Sequence, residues 1–102
     1  MTTQTLDPKD PEEIIFVSFD FSLAMLVGET ISPSPIVTAS SVSGPDTSPS
    51  SILSGNAAVS GSIVSQQIVN GIDGATYKLR CLATLSSGRK LALAGLLPCV
   101  TA

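Results

Sequence analysis

Histidine and tryptophan are absent from this chain, and tyrosine occurs once. Without histidine, the commonest metal ligand and the commonest neutral-pH general base are both missing. Charge is scarce too: only 13% of residues carry it, five of them basic. Lys78, Arg80, Arg89 and Lys90 are four of those five, too thin a footprint for nucleic acid, so no nucleic-acid partner is expected. No stretch approaches about 18 uninterrupted apolar residues, the length a membrane-spanning helix needs, so no membrane partner is expected either. The opening MTTQTLDPKDPEE has neither the basic region nor the apolar run of a signal peptide, which points to synthesis in a reducing cytosol. Cys81 and Cys99 suit that setting as packed small hydrophobes.

What the chain does have is hydroxyl. Sixteen serines and nine threonines make up about a quarter of its 102 residues, the length of one domain with a single modest core. So sparsely charged a surface protects poorly against self-association, and a surface partly covered by a partner is expected. Residues 1–13, with Pro8, Pro11 and four acidic residues, read as a flexible N-terminal arm. Residues 14–102 read as one β-sandwich domain. IIFVSF at Ile14–Phe19 is the first strand, followed by a short helical turn or a bent strand up to Gly28. Pro33 and Pro35 exclude a central strand and fit an edge strand or a bulged switch, with regular strand over Ile36–Ala39. The Ser/Pro-rich stretch at about 40–56 reads as a long loop. Two short strands, or one bulged strand, follow over about 57–69, ending at the Asn70-Gly71 and Asp73-Gly74 turns.

The region after Gly74 is the best specified. Tyr77, Leu79, Cys81, Ala83 and Leu85 alternate with Thr76, Lys78, Arg80, Leu82 and Thr84, the period of a half-buried strand. A three-residue turn, Ser86-Ser87-Gly88, with Gly88 in the left-handed position, sets Leu85 opposite Arg89, Cys81 opposite Leu93 and Tyr77 opposite Leu97. A two-residue turn would slip the register and spoil the buried match. The same register sets Cys99 opposite Ala75, about 20 Å along the strand from Cys81, too far for a disulfide. Asp73-Gly74-Ala75-Thr76-Tyr77 matches the turn-to-strand step of immunoglobulin-like sandwiches, where a tyrosine hydroxyl bonds back to the preceding corner. Tyr77, Asp73, Gly74 and Gly88 are therefore the structural residues of note. Leu82, apolar on the outward face, is the interface candidate.

No catalytic constellation emerges. Asp20, Glu29, Asp46 and Asp73 are the available acids, and none sits in a motif that supplies a partner. The serines lack a strand–elbow–helix context, and SGNAAVSG lacks the lysine and helix of a phosphate loop. Carboxylates are too scattered to furnish the six to eight oxygens of a calcium site. The expectation is a non-enzyme with no cofactor, no metal and no small-molecule substrate.

Several short motifs together resemble a family of small tailed-phage structural proteins from the head–tail region, often labelled fibre–tail adaptor proteins. The likeness starts in the acidic, proline-containing leader and the strand ending Asp20-Phe21-Ser22. It continues through Leu26, Gly28, Glu29, Thr30 and Ile31, similar to the family's leucine followed by GDTI. It closes on Asn70-Gly71, Gly74, Tyr77 and the Ser86-Ser87-Gly88-Arg89 turn. The likeness covers most of residues 7 to 100, with departures over 32–51 and at Gln67–Val69. The resemblance implies an all-β fold, a small antiparallel β-sandwich of immunoglobulin-like or fibronectin-III-like type. It implies a non-enzymatic virion protein, assembled in the host cytoplasm, that contacts other phage structural proteins and forms a homo-oligomer. A capsid decoration or cement protein is one alternative. A glycan- or receptor-binding module is a second, and requires exposed aromatics among Phe16, Phe19, Phe21 and Tyr77.

Overall fold

The structure, a computed structural model, describes residues 3–6, 8–44 and 48–101. Its strands are β1 (Thr3–Thr5), β2 (Ile15–Asp20), β3 (Ile36–Ser43), β4 (Leu53–Ser60), β5 (Ile63–Ile68), β6 (Thr76–Thr84) and β7 (Lys90–Pro98), with a 3₁₀ turn at Pro49–Ile52. They form two sheets, ordered β1-β7-β6-β3 and β2-β5-β4, antiparallel throughout except where β1 runs parallel to β7. Alternation along each strand turns one face of each sheet inward. The shared core takes Val17, Phe19, Val64 and Ile68 from the smaller sheet and Tyr77, Leu79, Cys81 and Ala83 from the larger. The architecture is thus an all-β, sandwich-like pair of sheets.

The β6–β7 hairpin has the register that the buried pattern dictates, pairing Tyr77 with Leu97, Cys81 with Leu93 and Ala83 with Leu91. Its turn is three residues long: Leu85 donates its N–H to Arg89 O at 2.8 Å, and Gly88 takes φ +92°. Both cysteines are free and buried. Between β4 and β5 the connection is the two-residue turn Gly61-Ser62, which accounts for the change of side-chain parity at Ile63. Gln66 faces the core on β5 and is 3% exposed. Its Nε2 donates to the carbonyls of Ser54 and Gly55 at 3.0 and 3.2 Å, where the β4 register shifts between Ser54 and Ala58. A bulge leaves backbone groups off the ladder, and the buried amide supplies the missing donor.

Three expectations differ from what is observed. Residues 1–13 are expected to form a flexible arm, yet β1 pairs with β7, Leu6 N–H donates to Leu96 O at 2.7 Å, and Lys9 bridges Cys99. Lys9 is also buried, its Nζ donating to Asn70 O at 2.6 Å and Asp10 O at 2.8 Å. Backbone pairing at a sheet edge needs no apolar pattern, so an acidic, proline-bearing leader can still dock. Second, the loop expected over 40–56 is shorter. Prolines 33 and 35 precede an edge strand, as their chemistry requires, but that strand runs on through Ser43. Ser40 and Ser41 pair with Lys78 and Tyr77 through their backbones, with Ser40 exposed and the Ser41 hydroxyl donating to Ser43 O at 3.4 Å. From Pro49 the chain is already ordered, with Ile52 buried. Residues 45–47, including the acid candidate Asp46, lie outside the described residues. Third, the first strand is shifted by one residue, to Ile15–Asp20.

At the corner before β6, the Tyr77 hydroxyl accepts the Ile72 N–H at 2.9 Å, and Tyr77 is only 1% exposed. Ala75 N–H closes the Asp73-Gly74 turn on Ile72 O at 3.0 Å, with Gly74 at φ +89°. Asp73 Oδ1 accepts Thr101 N–H at 2.9 Å, tying the chain beyond β7 to the same corner. Gly71 lies against Cys99: a Cβ there would meet Sγ at 2.8 Å, so no larger residue fits without displacing the thiol. Tyr77→Phe should therefore leave the Ile72 N–H without its acceptor and cost roughly 1–3 kcal/mol. Denaturant unfolding of the two proteins measures this, and coincident midpoints would mean that the hydroxyl bond does not hold the corner.

Candidate functional site

The end of the sandwich opposite the tyrosine corner is built from the segment after β2 and the β6–β7 turn. After β2, Asp20 Oδ1 accepts Ser22 N–H at 2.9 Å, and this bond holds the Asp20 carboxyl below its ordinary pKa. Ala24 and Met25 N–H both return to Phe21 O, at 3.0 and 3.1 Å, making a tight turn. A second turn follows at once: Glu29 N–H bonds Leu26 O at 3.1 Å with Gly28 at φ +85°, and the Glu29 carboxylate takes Leu26 N–H at 2.6 Å. The two successive turns send Phe21 and Met25 inward against the core but turn the apolar residues between and after them outward. Leu23 and Val27 are 102% and 107% exposed, and Leu26 is exposed beside them.

This loop is pinned by one charged pair. Arg89 donates Nη2 to Glu29 Oε1 at 2.6 Å and Nε to Oε2 at 2.9 Å, a bidentate fork, and a further Nη2 bond reaches Ala24 O at 3.0 Å. Ser87 Oγ donates to Glu29 Oε2. Backbone bonds continue the clasp: Thr30 N–H to Ser86 Oγ at 3.0 Å, Ser86 N–H to Thr30 O at 2.8 Å and Ser32 N–H to Thr84 O at 2.8 Å. Ile31, buried, bridges Leu85 beneath them. The Glu29 side chain is 6% exposed against 41% for Arg89, so the carboxylate is enclosed by its donors while the guanidinium faces solvent. The Arg89 bonds, then Ser87 and the Leu26 amide, push the Glu29 carboxyl from 4.5 down to about 2. Arg89 is held more firmly cationic in return.

Beneath the loop, the sandwich is open between edge strand β2 and β7. A cavity of about 380 Å³ is lined by Val17, Phe19, Phe21, Leu23 and Leu93, and Leu6 forms one of its walls. On the other side of Leu6 a second opening, of about 340 Å³, is lined by Pro8, Ile15, Phe16 and Leu97. Leu6 packs against Gly95, where a Cβ would meet its Cδ1 at 3.1 Å. Ser18 and Asp20 also border the first opening and Glu13 and Ser18 the second, so each is an apolar slot with a polar rim along β2.

The residues singled out from sequence do not converge. Tyr77, Asp73 and Gly74 build the corner at the start of β6, and Gly88 sits in the turn about 26 Å away along that strand. Leu82 is half-buried on the outward face between Ile36 and Ala92. Among the acid candidates, Asp20, Glu29 and Asp73 are separately engaged in turns and in the clasp. Among the described residues, no three His, Cys, Asp or Glu side chains group as metal ligands. Burial pushes the Cys81 thiol up to about 11 and raises that of Cys99, leaving both protonated and unreactive at neutral pH. Of the four aromatics a glycan module would need, Phe19, Phe21 and Tyr77 are buried and only Phe16 is exposed. Sequence reasoning missed the Glu29–Arg89 pair, although the acid follows one glycine and the base another in two of the segments that carry the family likeness. It also missed Lys9, whose acidic surroundings give no sign of burial.

Because ionised Glu29 is favoured in the folded state, its contribution is present above pH 4.5 and is lost as pH falls through about 2. Urea midpoints measured from pH 6 down to pH 2 should fall less steeply for Glu29→Gln than for the parent in that window. Parallel curves would show that the clasp carries no such linkage.

A family model described as Podophage GP4 fiber-tail adaptor protein gp77 matches residues 9–97. No curated protein and no solved structure matches the chain.

Proposed function

The chain belongs to the podophage fiber-tail adaptor family, whose role is structural and non-enzymatic in phage assembly, and from that premise we propose that it acts as a contact module between virion proteins through its clasped end. The carrying observation is that Glu29 and Arg89 lock a loop whose Leu23, Leu26 and Val27 project into solvent. Apolar side chains held outward on a pinned loop can be buried against a partner with little further loss of loop entropy. Two of the segments that carry the family likeness, Gly28–Ile31 and Ser86–Arg89, are the two halves of this clasp, which supports a shared purpose.

On this reading the protein is present in several copies in the particle, assembled in the host cytoplasm, with its loop end seated on a different structural protein at the tail. The Tyr77 hydroxyl bond to the preceding corner supports an immunoglobulin-like form of the sandwich. Replacing Leu23 and Val27 together by serine should leave the thermal midpoint nearly unchanged, since neither packs in the core. The same change should remove the protein from purified particles, as measured by mass spectrometry of virions. Normal incorporation of the folded double variant would overturn the loop as the contact.

A further inference from the structure

The two sheets present outer flanks of opposite charge. On the larger sheet, alternation turns Lys78 and Arg80 of β6 and Lys90 of β7 outward, all exposed. Among the described residues, none has a carboxylate partner and no acid stands on that face. Between them runs an apolar row in which Ile36, Leu82 and Ala92 are cross-strand neighbours. Bases therefore bracket an apolar band over about 20 Å, the six-residue span from Lys78 to the position of Lys90.

The flank of β2 carries the inverse pattern. Glu12 and Glu13 precede the strand and Asp20 ends it, all exposed, and no base lies on β2, β5 or β4. Between the acids, Ile14 and Phe16 face outward, Phe16 at 69% exposure. Glu13 to Asp20 spans about 23 Å. Acid, apolar, acid on one flank thus matches base, apolar, base on the other in sign, order and length. The two lie on different sheets, so one molecule cannot satisfy itself.

We propose that the occupant of each surface is a second copy of this chain: the outer face of β3-β6-β7 of one copy docks on the β2 flank of the next. Leu82 and its row meet Phe16 and Ile14, while Lys78, Arg80 and Lys90 meet Glu12, Glu13 and Asp20. The contact is heterologous, since the two surfaces differ, and it propagates from copy to copy into a ring or a row rather than stopping at a two-fold dimer. Charge complementarity carries much of this contact, so it is salt-sensitive. This inference rests on the many-copy part of the reading above and is independent of the loop contact at Leu23 and Val27.

The test is sedimentation velocity of the full chain in solution, without particles, at low and high salt. The parent should self-associate beyond dimers with rising concentration, about tenfold more weakly at high salt. Lys78→Glu with Arg80→Glu should weaken association about tenfold, and Glu12→Lys with Glu13→Lys should do the same, because either puts like charges together. The four changes combined keep the net charge and should recover association to within about threefold of the parent. Circular dichroism checks the fold of each variant. A parent that remains monomeric, association that stops at a dimer, or a combined variant no better than its halves would each overturn the proposal. Particle incorporation of the Leu23/Val27 variant is read separately, so failure of one reading leaves the other standing.

Discussion

The register between β6 and β7 is the constraint on which the rest of the molecule depends. Nine residue pairs, from Thr76 with Pro98 to Thr84 with Lys90, follow from one three-residue turn. Side-chain direction alternates strictly, so this register places Tyr77, Leu79, Cys81 and Ala83 in the core and, by the same step, Lys78, Arg80 and Leu82 outside. A slip of one residue would bury two cations and expose the core. The turn that sets the register also delivers Ser87 and Arg89 to Glu29, so the clasped loop exists only if the hairpin is paired as observed. Core, outer face and loop end are consequences of one pairing.

Much of this was readable from sequence because the hairpin is local and its pattern is carried by side chains. Apolar alternation, Gly88 at the turn and Tyr77 after Asp73-Gly74 all act within a few residues, and they agree with one another. What was not readable involves backbone pairing or distant partners. The parallel docking of β1 on β7 uses main-chain groups, which no side-chain pattern announces. Strand character at Ser40–Ser43 is hidden for the same reason, since serine is neutral about the ladder it joins. Lys9 with Asn70 and Glu29 with Arg89 join residues about 60 positions apart, and one sequence offers no signal that such pairs meet. The candidate loop was similarly obscure: FSLAML suits an amphipathic turn as well as a projecting one, and only the Glu29 bonds to Leu26 and Arg89 decide between them.

Four backbone irregularities are each closed by one long polar side chain. Lys9 satisfies the corner carbonyl of Asn70, Gln66 the displaced carbonyls of β4, Tyr77 the amide of Ile72, and Glu29 the amide of Leu26. Small domains with few aromatics bury too little apolar area to tolerate unpaired backbone groups. A buried group reaching across from another element serves twice, supplying the hydrogen bond and fixing the relative position of the two segments. That double service explains why a chain with so few charged residues commits Lys9, Glu29 and Arg89 to internal work.

What remains after those commitments is informative about the surface. With Lys9 and Arg89 engaged, the other three bases all lie on one outer face, and exposed acids gather on the flank of β2. Random placement would intersperse the signs, as monomeric proteins do to limit directed self-contact. Segregation of so few charges onto two flanks, each with an apolar band between its charges, does the opposite, and on the proposed contact it would give every copy a donor side and an acceptor side. A family of adaptors needs such polarity if identical chains are to follow one another around a particle while their clasped loops all face the same neighbour. The β6–β7 register sets the basic side and holds the loop, so the two proposed directions of contact would be coupled within a single hairpin.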